Sequence, residues 1–152
     1  KLKERGAVLI QGPKWCGKTT TALQQAKSVL RMDNPLQKEQ NLRLSKVNPQ
    51  RLLNGDNPRL IDEWQIAPTL WDTVRYEVDQ RGKMGQFILT GSAVPVETKE
   101  ITQSGTGRFT WLTMRPMSLY ESEESTGEVS LKALFNGNLE VDGESDIDLW
   151  IT

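Results

Sequence analysis

Gly12-Pro13-Lys14-Trp15-Cys16-Gly17-Lys18-Thr19 is the stretch on which the reading of this chain turns. It fits the pattern G-x-x-x-x-G-K-[ST] at every fixed position. The spacing has a chemical reason, because successive backbone N–H groups must curl around phosphate oxygens at the start of a helix, where unpaired donors favour an anion. Gly12 and Gly17 permit the curl. Lys18 is expected to reach the β- and γ-phosphates as a point charge, and the Thr19 hydroxyl to complete a Mg²⁺ shell that phosphates alone leave open. Pro13, Lys14, Trp15, Cys16 and Thr20 make up the remaining expected contacts with the nucleotide. A chance match in a chain of this length is roughly a one-in-a-few-hundred event at ordinary residue frequencies. The pattern therefore predicts binding of a nucleoside triphosphate.

The flanks agree with this. Ala7-Val8-Leu9-Ile10 is short, apolar and leads into Gly12, as a buried parallel strand feeding a phosphate loop should. After the loop, Ala22, Leu23, Ala26, Val29 and Leu30 line one face of a predicted helix, which Met32-Asp33-Asn34-Pro35 ends. A polar segment follows, then Asn48-Pro49 with Leu52-Leu53 and Asn54-Gly55, the signature of a short helix. Arg59-Leu60-Ile61-Asp62-Glu63 reads as a second core strand. Pro68 opens a helix that turns Leu70, Trp71, Val74 and Val78 inward and Glu77 and Arg81 outward as an i, i+4 pair, and Gly82 stops it. Gln86 to Ser92 is a third strand, and Arg108 to Met114 another. Strands alternating with helices imply an α/β fold with a parallel sheet and ligands at the strands' carboxyl ends, where Gly12, Asp62 and Thr90 fall.

Hydrolysis asks for more than a phosphate loop: a metal ligand, a group that polarises water and charge compensation. At a strand end beside the loop, Asp62 is expected to hold Mg²⁺ through its water shell and Glu63 to polarise the attacking water. Thr90 and Ser92, ending the neighbouring strand, are candidates to sense the γ-phosphate or hold the water in line. Arg108 follows the run Gln103-Ser104-Gly105-Thr106-Gly107 and is the candidate arginine finger, with Arg115, before Pro116, as the alternative. Trp15 either stacks on a base or packs against the following strand. Cys16, beside Lys18, is either an oxidation-sensitive thiol or a residue that simply fits.

Composition narrows the remaining classes. The chain has 152 residues, no histidine and one cysteine, so carboxylates must carry proton transfer and no internal disulfide can form. With no run of eighteen apolar residues and no leader pattern, neither a membrane partner nor a signal peptide is expected, and the expected location is cytoplasmic. Residues 1 to 120 carry 18 Lys and Arg against 11 Asp and Glu, whereas residues 121 to 152 carry 1 against 9. The basic residues are scattered rather than striped, so nucleic acid is an unsupported partner and a solvated surface the plainer reading. Ser118-Leu119-Tyr120-Glu121 matches a capping box opening a helix, and residues 122 to 128 read as a solvated loop. The expected division is a first domain over 1–121 and an acidic linker with the start of a further domain over 122–152, in a chain that reads as a fragment of a longer one.

Gly-Pro-Lys-Trp-Cys-Gly-Lys-Thr-Thr, Leu-Ile-Asp-Glu-Trp-Gln, Phe-Ile-Leu-Thr-Gly-Ser, Ser-Gly-Thr-Gly-Arg and Met-Arg-Pro-Met-Ser-Leu together resemble a family of prokaryotic ATPases with an AAA-type P-loop domain. The resemblance covers about residues 6 to 121. It implies a three-layer P-loop NTPase fold with an AAA-like parallel sheet flanked by helices, ATP and Mg²⁺ as ligands, Gly12 to Thr19 as Walker A, Asp62 and Glu63 as Walker B, Thr90 near sensor 1 and Arg108 as finger. It also implies a C-terminal effector domain of unknown function. Two features depart from the pattern: relatives often carry histidine where this chain has Gln103, and the AAA helical lid is not recognisable. The leading reading is a Mg²⁺-dependent ATPase. Its rivals are a nucleotide-gated interaction module, whose finger comes from a second copy in a homo-oligomer or from a partner, and a small-molecule kinase.

Overall fold

Ala7–Gln11 forms β1, and it has a strand on either side, because every residue from Ala7 to Ile10 is buried and only burial between neighbours satisfies such a run. The other strands are β2 (Ser28–Arg31), β3 (Arg59–Asp62), β4 (Phe87–Gly91) and β5 (Phe109–Thr113). They pair in parallel in the order β2-β3-β4-β1-β5. This computed structural model describes residues 1–91, 107–123 and 135–137. The chain divides into two units, Lys1–Pro116 and Met117–Thr152, and the sheet belongs to the first.

Alternation along the strands builds two cores. Ala7, Leu9, Ile61, Phe87, Leu89 and Phe109 face one side, against α3 (Thr69–Arg81) and the short 3₁₀ turns Pro49–Leu53 and Trp64–Ile66. Val8, Ile10, Leu60 and Ile88 face the other, against Ala22 of α1 (Lys18–Leu23). The result is the expected three-layer α/β arrangement. The predicted inward residues of α3 are all buried, Gly82 closes it in the left-handed conformation with φ 56°, and Arg81 bonds Glu77 at 2.9 Å. That pair is half-buried rather than outward, since the Arg81 guanidinium also lies over the Phe87 ring, 4.9 Å from its centroid.

Two elements differ from the sequence reading. The helix after the loop ends at Leu23, and Val29 and Leu30 belong to β2 instead. Leu30 and Met32 are buried while Val29 and Arg31 are exposed, a period of two that five apolar residues spread over nine positions concealed. The Lys27 N–H donates to the Pro58 carbonyl at 2.8 Å, which draws the chain into register with β3. Half-buried Arg59 then ties the edge together, donating to the Leu52 carbonyl and the Ser28 hydroxyl, each at 2.9 Å. The polar segment that was read without structure contains α2 (Lys38–Val47), whose buried positions are Asn41 and Ser45. Both are bonded: the Asn41 amide donates to the Arg31 carbonyl at 3.4 Å, and the Ser45 hydroxyl to the Leu42 carbonyl at 2.8 Å.

Trp71 anchors the thicker layer. It stacks on Phe109 with ring centroids 4.0 Å apart, and it meets Trp64 at 5.4 Å and Trp111 at 6.1 Å. Truncation to alanine would leave a cavity between α3 and β5. Trp71→Ala is expected to lower stability by about 3–5 kcal/mol, seen as an earlier urea midpoint with an unchanged slope.

In the second unit, the capping-box bonds expected at Ser118 are present, but residues 119–123 form a turn rather than the expected helix. The Ser118 hydroxyl donates to a Glu121 carboxylate oxygen at 2.8 Å, the Ser118 N–H donates to the same oxygen at 2.9 Å, and the Glu121 N–H returns to the Ser118 hydroxyl at 3.3 Å. These bonds, the backbone one first, hold the Glu121 carboxyl below its usual range.

Candidate active site

Three elements of the first unit converge at the carboxyl edge of the sheet. β1 runs into the loop at Gly12, whose φ of 158° is accompanied by a close approach: an added Cβ would come within 2.3 Å of the Met114 carbonyl oxygen. Met114, immediately beyond β5, donates its N–H to the Gln11 carbonyl at 2.8 Å and rests its terminal methyl 3.9 Å from where a Cβ on Gly17 would sit. The loop thus lies on a floor made by β5. Gly17, with φ 85°, turns the chain into α1.

Lys18 is curled into the loop and only 7% exposed, donating to the Gly12 carbonyl at 2.9 Å and the Pro13 carbonyl at 2.5 Å, with the Cys16 sulfur 3.8 Å away. Buried ammonium groups need such partners. Register does the rest: Asp62 of β3 stands opposite Thr90 of β4, and β4 lies between β3 and β1. The Thr90 hydroxyl donates to Asp62 Oδ1 at 2.6 Å, and the Thr19 hydroxyl donates to that same oxygen at 2.9 Å. Helix, strand and strand therefore meet on one carboxylate oxygen.

Glu63 follows Asp62 in the left-handed conformation, φ 55°, a strained state for a residue with a side chain. With Lys14, Trp15, Gly17, Lys18, Thr19, Thr20 and Asp33 it lines a depression of about 510 Å³. Gln65, two residues on, directs its amide nitrogen to Glu63 Oε2. Neither Asp33 nor Gln65 was singled out from the sequence. Asp33 was read only as part of a helix stop, and Gln65 only as one letter of a resembling motif, although its place two residues after a strand-end glutamate was a usable signal.

Other expected residues lie elsewhere or behave differently. Trp15 does not pack against a strand: it is 99% exposed, on a backbone turned left-handed at φ 68°, and rims the depression. Pro13 and Lys14 are exposed on the loop, Cys16 is buried beneath it, and Thr20 is exposed on α1. Ser92 and the run Gln103 to Thr106 lie outside the described residues. Arg108 is not brought to the loop. Its carbonyl accepts from the Ala7 N–H, so it stands at the amino end of β5, about 16 Å of strand from the loop. There its Nε donates to both oxygens of Asp79 in α3, at 2.6 and 2.7 Å. That hydrogen bond holds the Asp79 carboxyl below, and the Arg108 guanidinium above, their ordinary ranges. Arg115, exposed just past Met114, leaves the sheet at the loop's edge instead.

The profile of the AAA domain family matches residues 4–123, more than three quarters of the chain. The chain belongs to that family. It is an AAA-type P-loop ATPase domain. Among solved structures, PCH-2 of C. elegans is similar at 16% identity and a TM-score of 0.49, over 96% of this chain and 44% of that one. This AAA domain thus spans less than half the length of the PCH-2 chain. No curated protein matches it. Among the described residues, no helix is long and apolar enough to cross a membrane.

Proposed function

We propose that this AAA domain binds ATP with Mg²⁺ and hydrolyses it. The observation that carries the reading is the Asp62 oxygen that accepts from both Thr19 and Thr90, beside a depression bounded by Lys18 and Glu63. The donor set fits Mg²⁺, which is commonly held by one or two protein oxygens together with substrate phosphates and water. Thr19 and Asp62 would hold the ion, and when bound it would offset charge on the phosphate oxygens. Gly12 to Thr20 would wrap the triphosphate with their backbone N–H groups, and Lys18 would leave its loop carbonyls to pair with the β- and γ-oxygens. Glu63 is the base that accepts a proton from the attacking water, and Thr90 keeps the Asp62 carboxylate oriented.

Arg115 is our candidate for charge compensation within one chain, in place of Arg108. A second reading is favoured by the Arg108–Asp79 pair: with that arginine engaged at the far end of the strand, a finger comes from another copy or a partner, and the domain acts as a nucleotide-gated module with little turnover of its own. In either case we assign residues 122–152 to an acidic link toward an effector domain, the first domain closing at about residue 121.

Calorimetric titration with ATP, ADP and GTP, with and without Mg²⁺, tests the binding proposal. Mg²⁺-enhanced ATP binding supports it, and no binding of any nucleotide overturns it. Turnover per chain that rises with protein concentration selects the second reading, and a constant value selects the first.

A further inference from the structure

The strongest unexplained arrangement in the molecule is the Gln65 side chain. Its amide nitrogen donates to Glu63 Oε2, while its own oxygen, Oε1, is buried without a hydrogen-bond partner among the described residues. Natural proteins rarely leave such an acceptor unmet, and an exception calls for a reason. The alternative orientation of the amide supplies it: rotating the group by half a turn would set Oε1 against a carboxylate oxygen, acceptor against acceptor. The bond to Glu63 thus dictates the orientation at the expense of Oε1.

The surroundings hold Gln65 in that state. A Cβ on Gly91 would come within 2.3 Å of Gln65 Oε1 and 3.3 Å of Trp64 Nε1, so the bare backbone of β4 is what leaves room for the amide. Trp64 is almost completely buried and in ring contact with Trp71, the Ile66 N–H closes the turn on the Glu63 carbonyl at 3.0 Å, and Ile66 packs against the core, so the turn that carries Gln65 is held on either side of it. Glu63 sits at the head of this turn in a strained backbone state.

We infer that Gln65 is a positioning residue for ATP hydrolysis: held between Gly91 and the buried turn, it fixes the Glu63 carboxylate in the orientation from which it meets the attacking water. This rests on the reading of Glu63 as the base. Gln65 acts through Glu63.

The test is a double-mutant cycle on the whole chain, with Kd for Mg²⁺·ATP and kcat measured for each protein. Gln65→Leu is expected to leave Kd within about twofold and to lower kcat roughly ten- to a hundredfold, the scale of a small misplacement of a reacting group. In a Glu63→Gln background the same change should lower the residual rate no further, because the group it positions has already gone. Gly91→Ala should reproduce the loss of kcat by displacing the amide, and Gly91→Ala/Gln65→Ala should be no slower than Gln65→Ala alone. Full kcat in Gln65→Leu, or an equal further loss in the Glu63→Gln background, overturns the inference while leaving Glu63 as base. A wild type and Glu63→Gln of equal turnover remove the base itself and the inference with it. If Gln65→Leu fails to fold, the Gly91 pair decides: a single variant as fast as wild type, or a double variant slower than Gln65→Ala, overturns the inference.

Discussion

Lys18→Ala is expected to abolish useful nucleotide binding while the fold persists. The ammonium is buried in the loop on two carbonyl oxygens, and in the complex it would exchange these for phosphate oxygens. Truncating one member of a buried, hydrogen-bonded charge pair costs about 2–5 kcal/mol, or roughly 30-fold to several thousand-fold in Kd. The same change also frees the Gly12 and Pro13 carbonyls that now accept from Lys18. Calorimetric titration with Mg²⁺·ATP reads the loss, and circular dichroism checks the fold. Binding within threefold of wild type would mean that phosphates do not enter the loop.

The second large effect separates binding from chemistry. Glu63→Gln keeps the size of the side chain and still offers Gln65 an oxygen to bond, but an amide cannot take a proton from water. Turnover is expected to fall by about 10²–10⁴, with Kd for Mg²⁺·ATP unchanged within about threefold. Phosphate release measured beside equilibrium titration makes the comparison. A variant as active as wild type would eliminate Glu63 from the reaction, and one that no longer binds ATP would make it a binding group instead.

The parts of this domain that were legible in the sequence are those whose environment is simple. β1, β3 and β4 are buried on both faces, so they read as unbroken apolar runs ending in polar residues, and those ends border the candidate site. α3 was legible because one face carries Leu70, Trp71, Val74 and Val78. α2 hid because its fully buried positions are Asn41 and Ser45, whose polar atoms bond backbone carbonyls of Arg31 and Leu42, while its leucines Leu42 and Leu44 are only partly buried. β2 was absorbed into the preceding helix because Ala22 to Leu30 fits a helical stripe and a strand equally well, and only pairing with β3 decides between them.

The site divides in the same way. Asp62, Glu63 and Thr90 stand at strand ends, a position that chain order reveals, and the structure brings Asp62 and Thr90 together. The end of the sheet at which Arg108 stands is not legible, because the glycine run before it says nothing about which end of β5 that run leads to. Gln65 is invisible to any pattern of charge or periodicity. Its importance lies in a contact with Gly91, a residue 26 positions away whose chief contribution is having no side chain.

Lys18 and Asp62 already have partners inside the domain: loop carbonyls accept from the Lys18 ammonium, and two hydroxyls donate to one Asp62 oxygen. Under the proposed function, binding of a nucleotide would be a swap of companions rather than the filling of a void, and the net gain per bond would be the modest difference between two good states. A loop so arranged would hold its shape before the ligand arrives and would release it readily, because the old companions wait to return.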